Sequence, residues 1–284
     1  MYGALVKKRS LFTICIFCLS AFLVFCILQA SGFAAEKKRG RPFRLVSVGV
    51  GDPDLITVRA IERIRGSDII ICRPRVEKEF GEYLEGKIVW EGAFDQWRTW
   101  DQDCSEIADR EKREKCISDQ KLRKNLEKKI RKAVDEGKTL SVLGHGDLMI
   151  YGGPYRWYLE ALEDLKPEIV PGVSCLNAAN ANFGKDIMSG EKTSSAVLTH
   201  YRDIDKVAEH QPTLVIFTMH TAFEDIVEKL KRYYPEDTPV SIVFYAGYKE
   251  KEYRISGTLA TIQKKTEGEE FPFEHLVYVG DFMK

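Results

Sequence analysis

Three glycine-bearing loops carry the residues of this 284-residue chain that could do chemistry, namely two aspartates, a histidine, a serine and a cysteine. The first is Gly49-Val50-Gly51-Asp52-Pro53, where a β-branched run over 44–50 stops and apolar residues at helical spacing (Val58, Ile61, Ile64) begin. Gly49 and Gly51 permit positive φ or close approach of another molecule to the backbone, and Asp52 and Thr57 are placed to cap the helix entrance. The second loop runs from Gly144 through His145, Gly146 and Asp147 to Gly152, after a strand-like run at 139–143. The third is Pro171-Gly172-Val173-Ser174-Cys175. None has the third glycine of a dinucleotide fingerprint or the Gly-Lys-Ser/Thr ending of a P-loop. A small molecule resting on the backbone and a turn that serves only the chain both fit such loops.

The elements that must position them alternate. Strands are expected at 45–50, 68–72, 87–90, 139–143, 196–199, 213–218, 240–245 and 275–279, with a short strand in 168–174 that runs into the Pro-Gly turn. Helices are expected at 58–65, 155–165, 176–183, 222–233 and 258–265, with a long charged helix inside 93–137 whose apolar face is Leu122, Leu126, Ile130 and Val134. This rhythm predicts an α/β fold. It divides into an N-terminal α/β domain over 43–170, with the helical insertion at about 93–137, and a C-terminal α/β domain over 171–284.

Composition narrows the partners. A hydrophobic share of 44% is globular, and a formal net charge of zero removes the global attraction that would make nucleic acid a default partner. Of seven cysteines, Cys15, Cys18 and Cys26 lie in an N-terminal apolar segment. Cys72, Cys104, Cys116 and Cys175 are scattered with no C-x-x-C pair, so neither a zinc site nor a disulfide framework is expected. Cys104 and Cys116 would bridge only in an exported protein and are read as thiols. No metal is expected.

Lys7, Lys8 and Arg9 precede an apolar run over 11–28 and a small-residue stretch over 29–35, which reads as a signal peptide or as a single membrane anchor. The basic flank of Lys37, Lys38, Arg39, Arg41 and Arg44 favours an anchored body on the cytoplasmic side. Export after cleavage is the alternative.

Taken in order, Gly49-Val-Gly-Asp-Pro-Asp-Leu-Ile-Thr57, Gly146-Asp-Leu-Met-Ile-Tyr-Gly152 and Val170-Pro-Gly-Val-Ser174 resemble the tetrapyrrole (corrin/porphyrin) methylase family. Ser67-Asp-Ile-Ile-Ile-Cys72 and Ser256-Gly-Thr-Leu259 extend the resemblance over about residues 43–281. It implies two α/β domains with a cofactor cleft between them, a homodimer, S-adenosylmethionine as methyl donor, and a carbon of a corrinoid or porphyrinoid macrocycle as acceptor. That donor carries no phosphate, which suits glycine loops without a P-loop lysine. By position the resemblance puts cofactor contacts at His145, Gly146, Asp147, Ile150, Ser174 and Cys175, at Val50 in place of the family's usual proline, and at Met219 and Gly247. It leaves Gly49, Gly51 and Asp52 nearer the acceptor, with Arg73, Arg75 and Arg98 as guanidinium partners for an acidic macrocycle. Asp52 is the one catalytic candidate, and both it and Asp147 also read as helix caps.

Three positions depart from the family. Leu148 replaces a frequent proline, His145 a frequent glycine, and Arg73 stands where uroporphyrinogen-III methyltransferases carry an aspartate base, which argues against that activity. Trp97 and Trp100 are candidates for a lid or for packing. Rival functions are a methyltransferase for another acceptor and an exported or tethered non-catalytic binding protein on the same fold.

Overall fold

Short runs that are apolar on both faces build the first sheet. β1 (Phe43–Ser47), β2 (Ile69–Cys72) and β4 (Leu140–Gly144) are buried at every residue, as strands covered on both sides must be. β3 (Ile88–Glu91) and β5 (Glu168–Val170) are more exposed and form the edges of an all-parallel order, β3-β2-β4-β1-β5. The neighbours β4, β1 and β5 are the strands that run into the three glycine loops. A parallel sheet therefore delivers all three to one edge, the carboxyl ends of its strands.

This architecture comes from a computed structural model that describes residues 41–94, 101–219 and 222–284. The second sheet is mixed: β6 (Ala196–His200), β7 (Thr213–Phe217), β8 (Pro239–Phe244), β9 (Tyr253–Thr258) and β10 (His275–Val279) lie in the order β6-β7-β10-β8-β9, with only β6 and β7 parallel. Both sheets belong to one compact unit, Phe43–Lys284. The helices are α1 (Val58–Arg65), α2 (Pro74–Glu79), α3 (Arg110–Asp135), α4 (Arg156–Ala161), α5 (Cys175–Phe183), α6 (Ile204–Val207), α7 (Phe223–Lys231) and α8 (Ile262–Lys265). Thr57 caps α1 by accepting from the Ala60 N–H at 3.1 Å, and Asp109 caps α3 by accepting from Lys112 N–H at 2.8 Å. Beside the first sheet, Trp157 is buried with its Nε1–H donated to the Ala93 carbonyl at 2.8 Å.

Several expectations need correction. α2 and β9 were not expected: α2 is six residues long with only Val76 buried, and β9 is a mostly exposed edge strand, so neither shows a strong apolar period. The segment before α8 is held by the Thr261 hydroxyl, which accepts from the Thr258 N–H at 2.9 Å, so that helix is shorter than expected. The buried stripe of α3 is Cys116, Asp119, Arg123, Leu126, Ile130 and Ala133, while Leu122 is exposed. Two of its charged residues are thus inside rather than on a solvated face.

The largest correction concerns Cys104 and Cys116, which are joined in a disulfide with Cα atoms 5.7 Å apart. The bond ties the turn at Cys104–Glu106 to the second turn of α3. Spacing alone gave no reason to pair them, since twelve residues of sequence separation become a short distance only once α3 folds back over the preceding turn. Closing a loop of this size restricts the unfolded chain by about 3 kcal/mol. Reduction, or Cys116→Ser, is expected to lower the folding free energy by about 2–3 kcal/mol, read as a lower urea midpoint of the reduced protein. The candidate signal or anchor segment, Arg98, Trp97 and Trp100 lie outside the described residues. Among the described residues no helix is long and apolar enough to cross a membrane.

Candidate functional site

The three loops form one surface. The Gly146 N–H donates to the Gly49 carbonyl at 2.7 Å, Val50 N–H to the Val173 carbonyl at 3.1 Å, and Leu148 N–H to the Ser47 hydroxyl at 3.1 Å. Asp147 Oδ1 accepts from the Met149 N–H at 2.8 Å, which shapes a turn and is not a helix cap. Ser174 caps α5, its hydroxyl accepting from the Asn177 N–H at 3.3 Å and donating to Asn177 Oδ1 at 2.7 Å.

The second sheet closes against this surface through the segment after β8. Gly51 has φ +77°, and a Cβ placed on it would stand 2.2 Å from the Gly247 carbonyl oxygen, so the two backbones touch where no side chain fits. Asp52 N–H donates to that carbonyl at 3.0 Å, and Asp52 Oδ2 accepts from Lys249 N–H at 2.9 Å. The Asp52 carboxylate, like that of Asp147, serves loop geometry, and Asp52 makes no side-chain cap bond. Met219, after β7, and Tyr245, after β8, hold left-handed φ of 53° and 50°, a strained backbone for residues with side chains.

Between the sheets lies a cavity of about 270 Å³. Of the residues singled out in the sequence, Val50, Arg75, His145, Gly146, Asp147, Ile150, Ser174, Cys175 and Met219 line it. Gly49, Gly51, Asp52 and Gly247 do not; they make the joint behind it. Arg73 also stands outside the lining, its guanidinium 5.1 Å from the centre of the Phe94 ring and hydrogen-bonded to the Tyr155 hydroxyl. Among the wall residues that the sequence reading missed are Phe217, Val243, Ala246, Tyr248, Glu274 and Leu276. Arg75 and Glu274 are 199 residues apart and meet only through the fold.

A chain of polar contacts crosses one side of the cavity. His145 Nε2 lies 2.5 Å from Glu79 Oε2; Arg75 donates to Glu79 Oε1 at 3.0 Å, to Glu274 Oε1 at 2.5 Å and to the Tyr248 hydroxyl at 2.6 Å. Burial pulls His145 below the ordinary imidazole value, with Glu79 opposing it. Burial acts to raise Glu79, but hydrogen bonds from Arg75 and His145 prevail and hold it below the usual glutamate value. Burial likewise pushes the Cys175 thiol up, so it stays protonated at neutral pH.

These walls suit a ligand with an apolar body and no phosphate. Val50, Ile150, Phe217, Val243 and Leu276 supply apolar surface, Gly146 and the turn after it supply backbone polar groups, and the guanidinium of Arg75 is already taken by protein partners. S-adenosylmethionine carries no phosphate, and its adenine faces and methylene stem can rest on apolar walls while its amino-acid end and ribose meet backbone polar groups. Among the described residues no group of three or more histidine, cysteine or acidic side chains could hold a metal ion.

The chain is 26% identical over 255 residues to a cobalt-precorrin-4 C(11)-methyltransferase of Methanocaldococcus jannaschii, covering 84% of this chain and 87% of that one. It is 27% identical over 249 residues to a precorrin-4 C(11)-methyltransferase of Pseudomonas aeruginosa, covering 84% and 89%. Among solved structures, a cobalt precorrin-4 methyltransferase of cobalamin biosynthesis superposes with a TM-score of 0.64 at 20% identity, covering 85% of this chain and 95% of that one. A uroporphyrin-III C-methyltransferase from Thermus thermophilus, complexed with S-adenosyl homocysteine, gives 0.61 at 20% identity over 86% and 94%. These structures share the fold. The family model for Tetrapyrrole (Corrin/Porphyrin) Methylases matches residues 42–263. The chain belongs to that family, methyltransferases that take their methyl group from S-adenosylmethionine.

Proposed function

We propose that this chain methylates a carbon of a partly methylated corrin precursor, with S-adenosylmethionine held in the cavity between the sheets. The observation that carries the reading is the convergence of Val50, His145–Ile150, Ser174, Cys175 and Met219, from four separate loops, on one cavity. When bound, the cofactor supplies an electrophilic methyl group on a sulfonium. The chain's part is to fix that group and the acceptor in line, so positioning by the three joined loops matters more than any one side chain. The resemblance, which puts Arg73 where uroporphyrinogen-III methyltransferases carry an aspartate base, supports the precorrin class over uroporphyrinogen III, and that guanidinium lies over Phe94. Incubating the full chain with cobalt-precorrin-4 and, separately, with uroporphyrinogen III tests this. Methyl transfer to the first and not the second is expected; the reverse order overturns the acceptor assignment.

One observation favours a second reading. A disulfide is characteristic of oxidising compartments, and the chain begins with the signal-like segment described above. An exported body would lack a ready supply of cofactor and would act as a tetrapyrrole-binding module. Labelling intact cells with a membrane-impermeant maleimide, before and after reduction, separates the two. Cys104 and Cys116 labelled only after reduction from outside would support export, and free thiols reached only after lysis would support a cytoplasmic body.

A further inference from the structure

The cavity contains one side chain placed to take a proton. Methylating a carbon with a methyl cation leaves the acceptor one positive charge in excess, which it sheds as a proton from that carbon or from an N–H conjugated with it. We propose that His145, held by Glu79, accepts that proton; the inference rests on the methyltransferase reading. The N–H bond forms from the Nδ1 lone pair, the acceptor's C–H or N–H bond breaks, and its electron pair stays on the macrocycle.

The geometry assigns the roles of the two ring nitrogens. Nε2 faces the Glu79 carboxylate at 2.5 Å, and a carboxylate held ionised by Arg75 can only accept, so Nε2 carries the hydrogen. Nδ1 is then the bare, basic nitrogen, and it makes no hydrogen bond to any described residue of a cavity that His145 lines. An imidazole oriented by a half-buried carboxylate on one nitrogen and open on the other is a general-base arrangement, and the imidazolium formed would be stabilised by Glu79. Phe80 fixes the ring from the side, centroid to centroid 5.9 Å.

The other proton acceptors on the wall are engaged. His275 has Nδ1 at 2.5 Å from the Pro272 carbonyl and Nε2 at 2.6 Å from the Thr218 hydroxyl. Glu274 is bound by Arg75, and the Cys175 thiol is protonated. Asp147 accepts from the Met149 N–H through Oδ1, the bond that shapes its own turn. Arg73 cannot serve, being a permanent cation.

The charged groups facing His145 are Glu79 and Arg75 from α2, Glu274 from the segment before β10, and Asp147 on its own loop. Since burial lowers the His145 value, the neutral, active form persists below the ordinary histidine value of about 6.5, and turnover is expected to fall as pH drops further.

The test uses the full chain with three readouts. Long-range 15N NMR of the histidines should show His145 as the Nε2–H tautomer in wild type. Calorimetry with S-adenosylhomocysteine on His145→Gln sets the cofactor concentration that saturates the variant, so that a weakened cofactor contact does not enter its kcat. With cobalt-precorrin-4 as acceptor, His145→Gln should lower kcat about a hundredfold or more, within the range general-base catalysis supplies. Glu79→Gln should lower kcat less and shift the acid limb to lower pH, because the imidazolium loses its counter-charge. An Nδ1–H tautomer, or a His145→Gln kcat within a few-fold of wild type, overturns the base assignment while leaving the methyltransferase standing. A wild-type chain that binds S-adenosylhomocysteine yet methylates neither cobalt-precorrin-4 nor uroporphyrinogen III overturns the acceptor reading and the base with it.

Discussion

Replacing Gly51 with alanine is expected to lower the folding free energy by about 2–4 kcal/mol and to abolish binding of S-adenosylhomocysteine. Two costs combine. Gly51 has φ +77°, a region that side chains adopt only under strain, and the added Cβ would stand 2.2 Å from the Gly247 carbonyl oxygen and 2.6 Å from its Cα. Both obstacles are backbone, so no rotamer change relieves them. The segments would have to part, breaking the Asp52 N–H bond to Gly247 and the Lys249 N–H bond to Asp52. That joint closes the second sheet onto the glycine loops, and the cavity lies beside it. Chemical denaturation and calorimetry on the same variant check the two parts separately. A variant with an unchanged midpoint would mean that the contact between the loops is not made in solution.

The contrast between what could and could not be read from the chain follows from the range of the forces involved. The first sheet was legible because Phe43–Ser47, Ile69–Cys72 and Leu140–Gly144 are buried on both faces and so read as uninterrupted apolar runs. The loops after β1, β4 and β5 were legible because glycines cluster where the backbone turns and two loops meet. α2 was missed because a six-residue helix with one buried side chain leaves no periodic trace, and it is α2 that carries Arg75 and Glu79. β9 was missed for the same reason, its residues lying mostly exposed at a sheet edge.

The site divides along the same line. Residues contributed by the glycine loops, such as His145 and Ser174, carry their own local pattern. Glu79, one turn from Arg75 on α2, and Glu274, just before β10, are joined only through the Arg75 guanidinium. The aspartates show the converse: Asp52 and Asp147, read as acids or as helix caps beside glycines, each accept from a loop backbone N–H. The disulfide was judged from compartment and spacing, whereas the fold of α3 decides it.

Filling the cavity gives the second large effect. Cys175 is the first residue of α5, half-buried, and it faces the cavity. Cys175→Trp is expected to weaken S-adenosylhomocysteine binding more than a hundredfold, about 2.7 kcal/mol, because an indole takes space within a cavity of only about 270 Å³. Stability should change by no more than about 1 kcal/mol, since the added ring enters open space rather than close-packed core. Loss of binding with the urea midpoint kept distinguishes a blocked site from a damaged fold.

The central claim is that the cavity between the two sheets is the cofactor site. Its most direct test is a calorimetric titration of the full chain with S-adenosylhomocysteine, run beside Cys175→Trp. The expected result is saturable binding to wild type at one molecule per chain, and none to the variant at the same concentrations. No saturable heat with wild type, or equal binding by both proteins, would contradict it.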